Sequence, residues 1–228
     1  PVWGRHTFSF GTSMHTTLER FFTLIQERRA SIQPDLFESK TAIVLPGLDD
    51  LLKIYEESWI EEWYLTKRQA DEYKKNGVDI LKDFFAKHDG AWLDTKHIER
   101  GFTLKIGPYT LIGKVDRIDV KGDGVEIIDY KTGKVPTDEK DVDKEQLLIY
   151  QLAAEVVWKE KPVALTFYYL NQNKPISFLG TEQDLVDLQL KIKSSIDKIR
   201  EGKFPATPAP NKCKFCDFKE ICEFRKID

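Results

Sequence analysis

The sequence predicts an α/β protein in which a mixed central β-sheet is flanked by helices, and three observations carry that expectation. Two runs of alternating β-formers, residues 113–120 and 125–133, flank the turn signal Gly122-Asp123-Gly124, the pattern of an antiparallel hairpin. Upstream of it, residues 8–29 carry Leu18, Phe22 and Ile25 at helical spacing. Downstream, a helical stretch over 146–159, an apolar strand-like run over 163–170 and a further helical stretch over 181–200 follow in turn. With 228 residues, 41% of them hydrophobic, the chain can bury the core of a single domain, 1–228, including a helical insertion.

Taken in order, the chain starts with a strand-like Phe8-Ser-Phe10 before a helix for which Thr12 or Ser13 is the N-cap candidate. His15 falls on the apolar stripe of that helix, and a histidine in such a place is ordinarily a satisfied core residue. Residues 34–90 are rich in Glu, Lys and Trp, with helical periodicity over 48–65 and 69–87, and read as an insertion covering the core. Trp59, Trp63 and Tyr64 could form a base-stacking platform, but their helical spacing marks them as packing residues. Phe102, Leu104 and Ile106 alternate in a strand over 94–107 that turns at Gly107-Pro108, and Glu99 at its start is a candidate outer acidic residue. After the hairpin, Asp143 opens a helix whose Leu147, Leu148, Leu152 and Val156 are apolar. Gln146 and Tyr150 share one face of it, although Gln146 could instead complete a capping pair with Asp143. Gly202 ends the 181–200 helix, and a Pro-rich connector leads into a tail, 205–228, that holds all three cysteines.

The hairpin brings charges together. Side chains alternate along a strand, so Asp129 and Lys131 share a face. A two-residue turn at Gly122-Asp123 sets Asp116 opposite Asp129; one at Asp123-Gly124 sets it opposite Lys131. Either register puts all three on one surface, whereas a three-residue turn reverses Asp116. Two carboxylates about 5 Å apart at an effective dielectric of ~20 repel by roughly 3 kcal/mol, a sizeable share of the ~5–15 kcal/mol that holds a domain folded. A lysine salt bridge on a solvated hairpin can relieve part of this, and a divalent cation can bridge both carboxylates.

Gly113-Lys-Val-Asp-Arg-Ile-Asp119 and Ile127-Ile-Asp-Tyr-Lys-Thr-Gly133 resemble, without a gap, the active-site hairpin of the PD-(D/E)xK nuclease superfamily in its RecB-like branch. Gly11-Thr-Ser-Met-His-Thr-Thr-Leu-Glu19 is similar to that branch's histidine segment, and Gln146-Leu-Leu-Ile-Tyr150 to its Q-x-x-x-Y signature. The resemblance implies a restriction-endonuclease-like core and a deoxyribonuclease using Mg²⁺ or Mn²⁺ held by His15, Asp116, Asp129 and the carbonyl of Tyr130. It gives Lys131 the orientation of the attacking water, and places Gln146 and Tyr150 at the border of the site. It further implies an exonuclease domain of a helicase–nuclease in DNA repair, with DNA as substrate and a helicase domain or subunit as partner. Cys213-x2-Cys216-x5-Cys222 is similar to the cysteine triplet of AddB-type and CRISPR-associated adaptation nucleases, where a fourth cysteine upstream of the histidine completes the set.

Three cysteines make no disulfide framework, and zinc or an iron–sulfur cluster normally takes four protein ligands, so free thiols stand beside a [4Fe–4S] cluster completed by a longer native chain. Because the chain begins with Pro, a fragment of a longer polypeptide is expected. No run approaches the ~20 apolar residues of a membrane span and no signal peptide is visible, so a cytoplasmic location away from membranes is expected. A net charge of −3 gives no general attraction to nucleic acid, so DNA contacts must be local or supplied by an attached domain. Two other readings compete: a catalytically silent DNA-holding module of a repair complex, and a zinc-stabilised interaction domain that leaves the Asp116, Asp129 and Lys131 face without a use.

Overall fold

The computed structural model describes residues 5–31, 44–88, 92, 94–138 and 142–226; two parts of the predicted insertion, residues 34–43 and 89–90, lie outside them. The chain divides into two compact units, residues 1–188 and 189–228.

The first unit is built on a five-stranded sheet, β1 (Thr95–Ile106), β2 (Tyr109–Lys121), β3 (Gly124–Lys131), β4 (Pro162–Tyr169) and β5 (Lys174–Phe178), in that spatial order. All neighbours are antiparallel except β3 and β4, which are parallel, so the sheet is mixed as the sequence predicts. A parallel pair needs a crossover, and α4 (Glu145–Ala153) with the π-helical turn Ala154–Trp158 provides it. The hairpin closes with Lys121 opposite Gly124, the Gly122-Asp123 register of the two the sequence allows.

Against the sheet pack α1 (His6–Ala30), α2 (Leu48–Ser58) and α3 (Lys67–His88). Phe10, Met14, Leu18, Phe21, Phe22 and Ile25 of α1 form one buried stripe with Tyr55, Leu81 and Phe84, and with Ile128, Tyr130 and Tyr168 of β3 and β4. The insertion helices therefore belong to the core as well as covering it. The strand-like reading of Phe8-Ser-Phe10 is wrong: all three residues lie in the first turns of α1, which starts at His6. Neither Thr12 nor Ser13 caps it; Ser13 lies inside α1, where its Oγ accepts the Ile60 N–H at 2.9 Å. α2 ends seven residues before the predicted 65, and Trp59 and Tyr64 stack with centroids 5.4 Å apart while Trp63, with φ 69°, stays half exposed.

Two further features depart from expectation. β5 was not expected from the sequence; its Lys-Pro-Ile-Ser-Phe carries a proline that an edge strand tolerates. Val156, one of the apolar residues of the predicted 146–159 helix, is exposed because the π turn moves it off the buried face of α4. Thr181 caps α5 (Glu182–Arg200) by exchanging hydrogen bonds with Asp184. The second unit contains the last turns of α5, Gly202 in the left-handed region (φ 68°), and the short α6 (Pro210–Cys213). Among the described residues no helix is long and apolar enough to cross a membrane.

Candidate active site

The site forms where the hairpin comes apart. The β2–β3 ladder runs from Lys121↔Gly124 to Arg117↔Ile128 and stops one rung short of Asp116 and Asp129. Beyond that point β2 stays paired with β1 and β3 with β4, so the two strands part company. Backbone groups at such a fork still need partners, and the Tyr130 N–H donates to Asp116 Oδ2 at 2.8 Å. The carboxylate is thus held across the gap by the strand that carries Asp129.

On one flank, α1 brings His15 Nδ1 to 3.3 Å from Asp116 Oδ2. Burial works against a charged imidazole there, but the hydrogen bond and charge of Asp116, with Asp129 and Glu99 behind, raise the His15 pKa on balance. Glu99 lies between the rungs Ile98↔Arg117 and Arg100↔Val115, across from Asp116, with its backbone at φ 49°. A left-handed glutamate costs about 1–2 kcal/mol. This strained residue aims its carboxylate into the cluster, where Lys114 pairs with it and burial raises its pKa. Ligand atoms of His15, Glu99 and Asp116 all lie within 4.8 Å of one another.

On the other flank Asp129, Lys131, Gln146 and Tyr150 form one network. Gln146 Nε2 donates to Asp129 Oδ1 and to Tyr150 Oη, both at 2.8 Å, while its Oε1 accepts from Lys131 Nζ at 2.6 Å. Gln146 thus faces the site and does not pair with Asp143, whose Oδ1 accepts the Glu145 N–H at 3.1 Å just before the N-cap Lys144. Lys131 Nζ also lies 2.6 Å from Asp129 Oδ2 as an ion pair, though its aligned hydrogen bond goes to Gln146. Burial, with the charge of Asp116 adding and that of Lys131 opposing, pushes the Asp129 pKa up to about 6. Asp129 Oδ2 is therefore a buried carboxylate oxygen without an aligned donor. Gly113 contributes at a distance: a Cβ there would lie 2.4 Å from the Phe102 ring, which packs edge-on against Tyr150, the anchor of Gln146.

The donor set, one imidazole nitrogen with carboxylate oxygens, fits a hard or borderline divalent cation. The structure brings His15, Asp116, Asp129, Lys131, Gln146 and Tyr150 together, with Tyr130 meeting Asp116 through its N–H. Glu99, only a marginal candidate in the sequence, lies inside the cluster. Among the described residues no other group of three ligand side chains converges in this way, the thiols of Cys213, Cys216 and Cys222 included.

Residues 4–223 match the family model of the PD-(D/E)XK nuclease superfamily. The chain belongs to that superfamily. PD-(D/E)XK nucleases use divalent metals, in keeping with the donor set. The chain is similar to the Gene 69 protein of Mycobacterium phage L5, 24% identical over 97% of this chain and 87% of the phage protein. It is also similar to the Gene 69 protein of Mycobacterium phage D29, at 25% identity over 70% of this chain and 62% of that protein. Among solved structures, a Eubacterium rectale protein provisionally classed as an exonuclease aligns with a TM-score of 0.44 at 14% identity, over 81% of this chain and 84% of that one.

Proposed function

We propose that this PD-(D/E)XK protein is a divalent-metal-dependent deoxyribonuclease. The observation that carries the proposal is the fork at Asp116 and Asp129, with a histidine on one side and the Lys131–Gln146–Tyr150 network on the other. His15, Asp116 and Asp129 would hold Mg²⁺ or Mn²⁺, with Glu99 as a further donor. The ion, when bound, supplies Lewis acidity toward the phosphodiester and makes water a stronger nucleophile at neutral pH. Lys131, fixed between Asp129 and Gln146 and 4.9 Å above the Phe167 ring, holds a positive charge where negative charge develops on the phosphate. Gln146 locks Asp129 and Lys131 in mutual register, and Tyr150 locks Gln146, so the site is preorganised rather than assembled by substrate. As part of the same proposal, the likeness of the hairpin and the Gln146–Tyr150 pair to the RecB-like branch supports cleavage from DNA ends in a helicase–nuclease setting.

Labelled linear and circular DNA with Mg²⁺, Mn²⁺ or chelator tests this reading. Cleavage should require the ion and should fall at least about a hundredfold in Asp129→Ala and in Lys131→Ala, with the fold retained by circular dichroism. Full activity in either variant, or in excess chelator, would defeat the mechanism. DNA binding by the wild type without any cleavage would favour the silent holding module.

A further inference from the structure

The candidate site opens into a groove that the chemistry above does not use. His15 and Lys131 line a cavity of about 380 Å³ together with Phe8, Thr132 and Gly133. A second cavity, of about 670 Å³, continues from Thr132 and Gly133 to Tyr73 and Asn76 of α3. Thr7, Thr132 and Gly133 line both, so the two cavities adjoin and together reach from the candidate metal ligands to the inserted helix.

Its walls are tied to one another. Asn171 Nδ2 donates to the Thr132 carbonyl at 2.5 Å, Lys87 Nζ to the Asn173 carbonyl at 2.6 Å, and Asn173 Nδ2 to the Asp83 carbonyl at 2.8 Å. These bonds join the turn after β3, the turn after β4 and α3 into one preformed frame.

The lining selects an occupant. Phe8 is 60% exposed, a large ring that core packing does not explain. It stands seven residues before His15 on α1, two turns along the same face. Further along, Asn76 and Gln172 offer amides and Thr7 and Thr132 hydroxyls, while the charges, Lys134 and Glu72, are few and opposite. An exposed ring followed by amides suits unpaired bases, whose faces can stack and whose edges can accept and donate hydrogen bonds. A duplex hides its base faces in the stack and leaves the ring and the amides without a partner, whereas a single strand presents both. We propose that Phe8 stacks on the nucleobase adjoining the scissile phosphate and that the groove from Thr132 to Asn76 holds the next nucleotides of the same strand. The proposal rests on the nuclease reading, which puts the phosphodiester at His15 and Lys131.

The test is fluorescence anisotropy of a labelled oligothymidylate, with the protein carrying Asp129→Ala so that the strand stays intact. Adding Phe8→Ala should raise Kd by about tenfold or more, Phe8→Trp should preserve it, and Asn76→Ala should give a smaller loss. A blunt duplex should bind equally to all of them. Because Phe8 is exposed, its variants should melt with the parent. Single-strand affinity unchanged by Phe8→Ala, or a duplex affinity that falls in step, would overturn the stacking role. A loss in Phe8→Ala with none in Asn76→Ala would overturn the longer path. Cleavage of the same oligonucleotide by the wild type in Mn²⁺ separates the two proposals. Cleavage with Phe8→Ala binding normally sinks the groove alone, as does cleavage of linear duplex with neither binding nor cleavage of the oligonucleotide; no cleavage of either DNA sinks the nuclease reading and this one with it.

Discussion

Arg117 is 3% exposed, and a buried guanidinium is tolerated only with partners. One amino group donates to Tyr130 Oη at 2.5 Å, the other lies 2.9 Å from Asp119 Oδ2, and the plane sits 4.1 Å over the Phe22 ring. Tyr130 in turn donates its N–H to Asp116, so a buried chain of contacts runs from Asp119 to the candidate metal site. Tyr130→Phe deletes one oxygen and leaves a buried N–H of the arginine without its acceptor. A loss of about 1–3 kcal/mol is expected, to be read from urea unfolding; an unchanged midpoint would show that the hydroxyl is not what holds Arg117. Asp116, Asp129 and Lys131 were legible in the sequence because a strict period of two and a short turn leave few registers. Glu99 was hardly legible, since its left-handed backbone breaks the alternation that would have placed it. Arg117 looked like an ordinary strand residue, because its value lies in partners distant in the chain.

Whole elements were legible where their pattern was long and regular, as for α1, α3, α5 and the hairpin. β5 is five residues with a proline, and the π turn after α4 has no periodic signature of its own, so both were lost in the sequence. The groove could have been glimpsed from Phe8 sharing a helix face with His15, but its far wall depends on how closely α3 approaches. Gly77 sets that approach: a Cβ there would lie 2.0 Å from Tyr55 Oη and 3.2 Å from the Phe10 ring. Tyr55 is fully buried and cannot swing away. Gly77→Ala gains up to ~1 kcal/mol of helix propensity but overpacks the contact at a cost of about 1–3 kcal/mol. Net destabilisation is therefore expected in a thermal melt, and a variant more stable than the parent would mean that α3 does not press on Tyr55.

For the molecule as a whole, a net charge of −3 gives no general attraction to nucleic acid, while at the fork the charge of Asp116 bears unfavourably on that of Asp129. A cation bound only by the native state stabilises it by mass action, by about 2.7 kcal/mol when present at a hundred times its Kd. Mg²⁺ or Mn²⁺ should raise the melting temperature of the wild type, and Asp116→Asn should lose most of that response. Parallel melting of the two proteins at every metal concentration would show that Asp116 is not part of the ion's site. The fork between β2 and β3 also has a meaning for the order of synthesis. Every residue of the candidate site has been made once Tyr150 is joined to the chain, yet β4, which holds the far edge of β3, begins only at Pro162. On a ribosome the complete set of candidate groups therefore exists before the strand that would fix their geometry has been made.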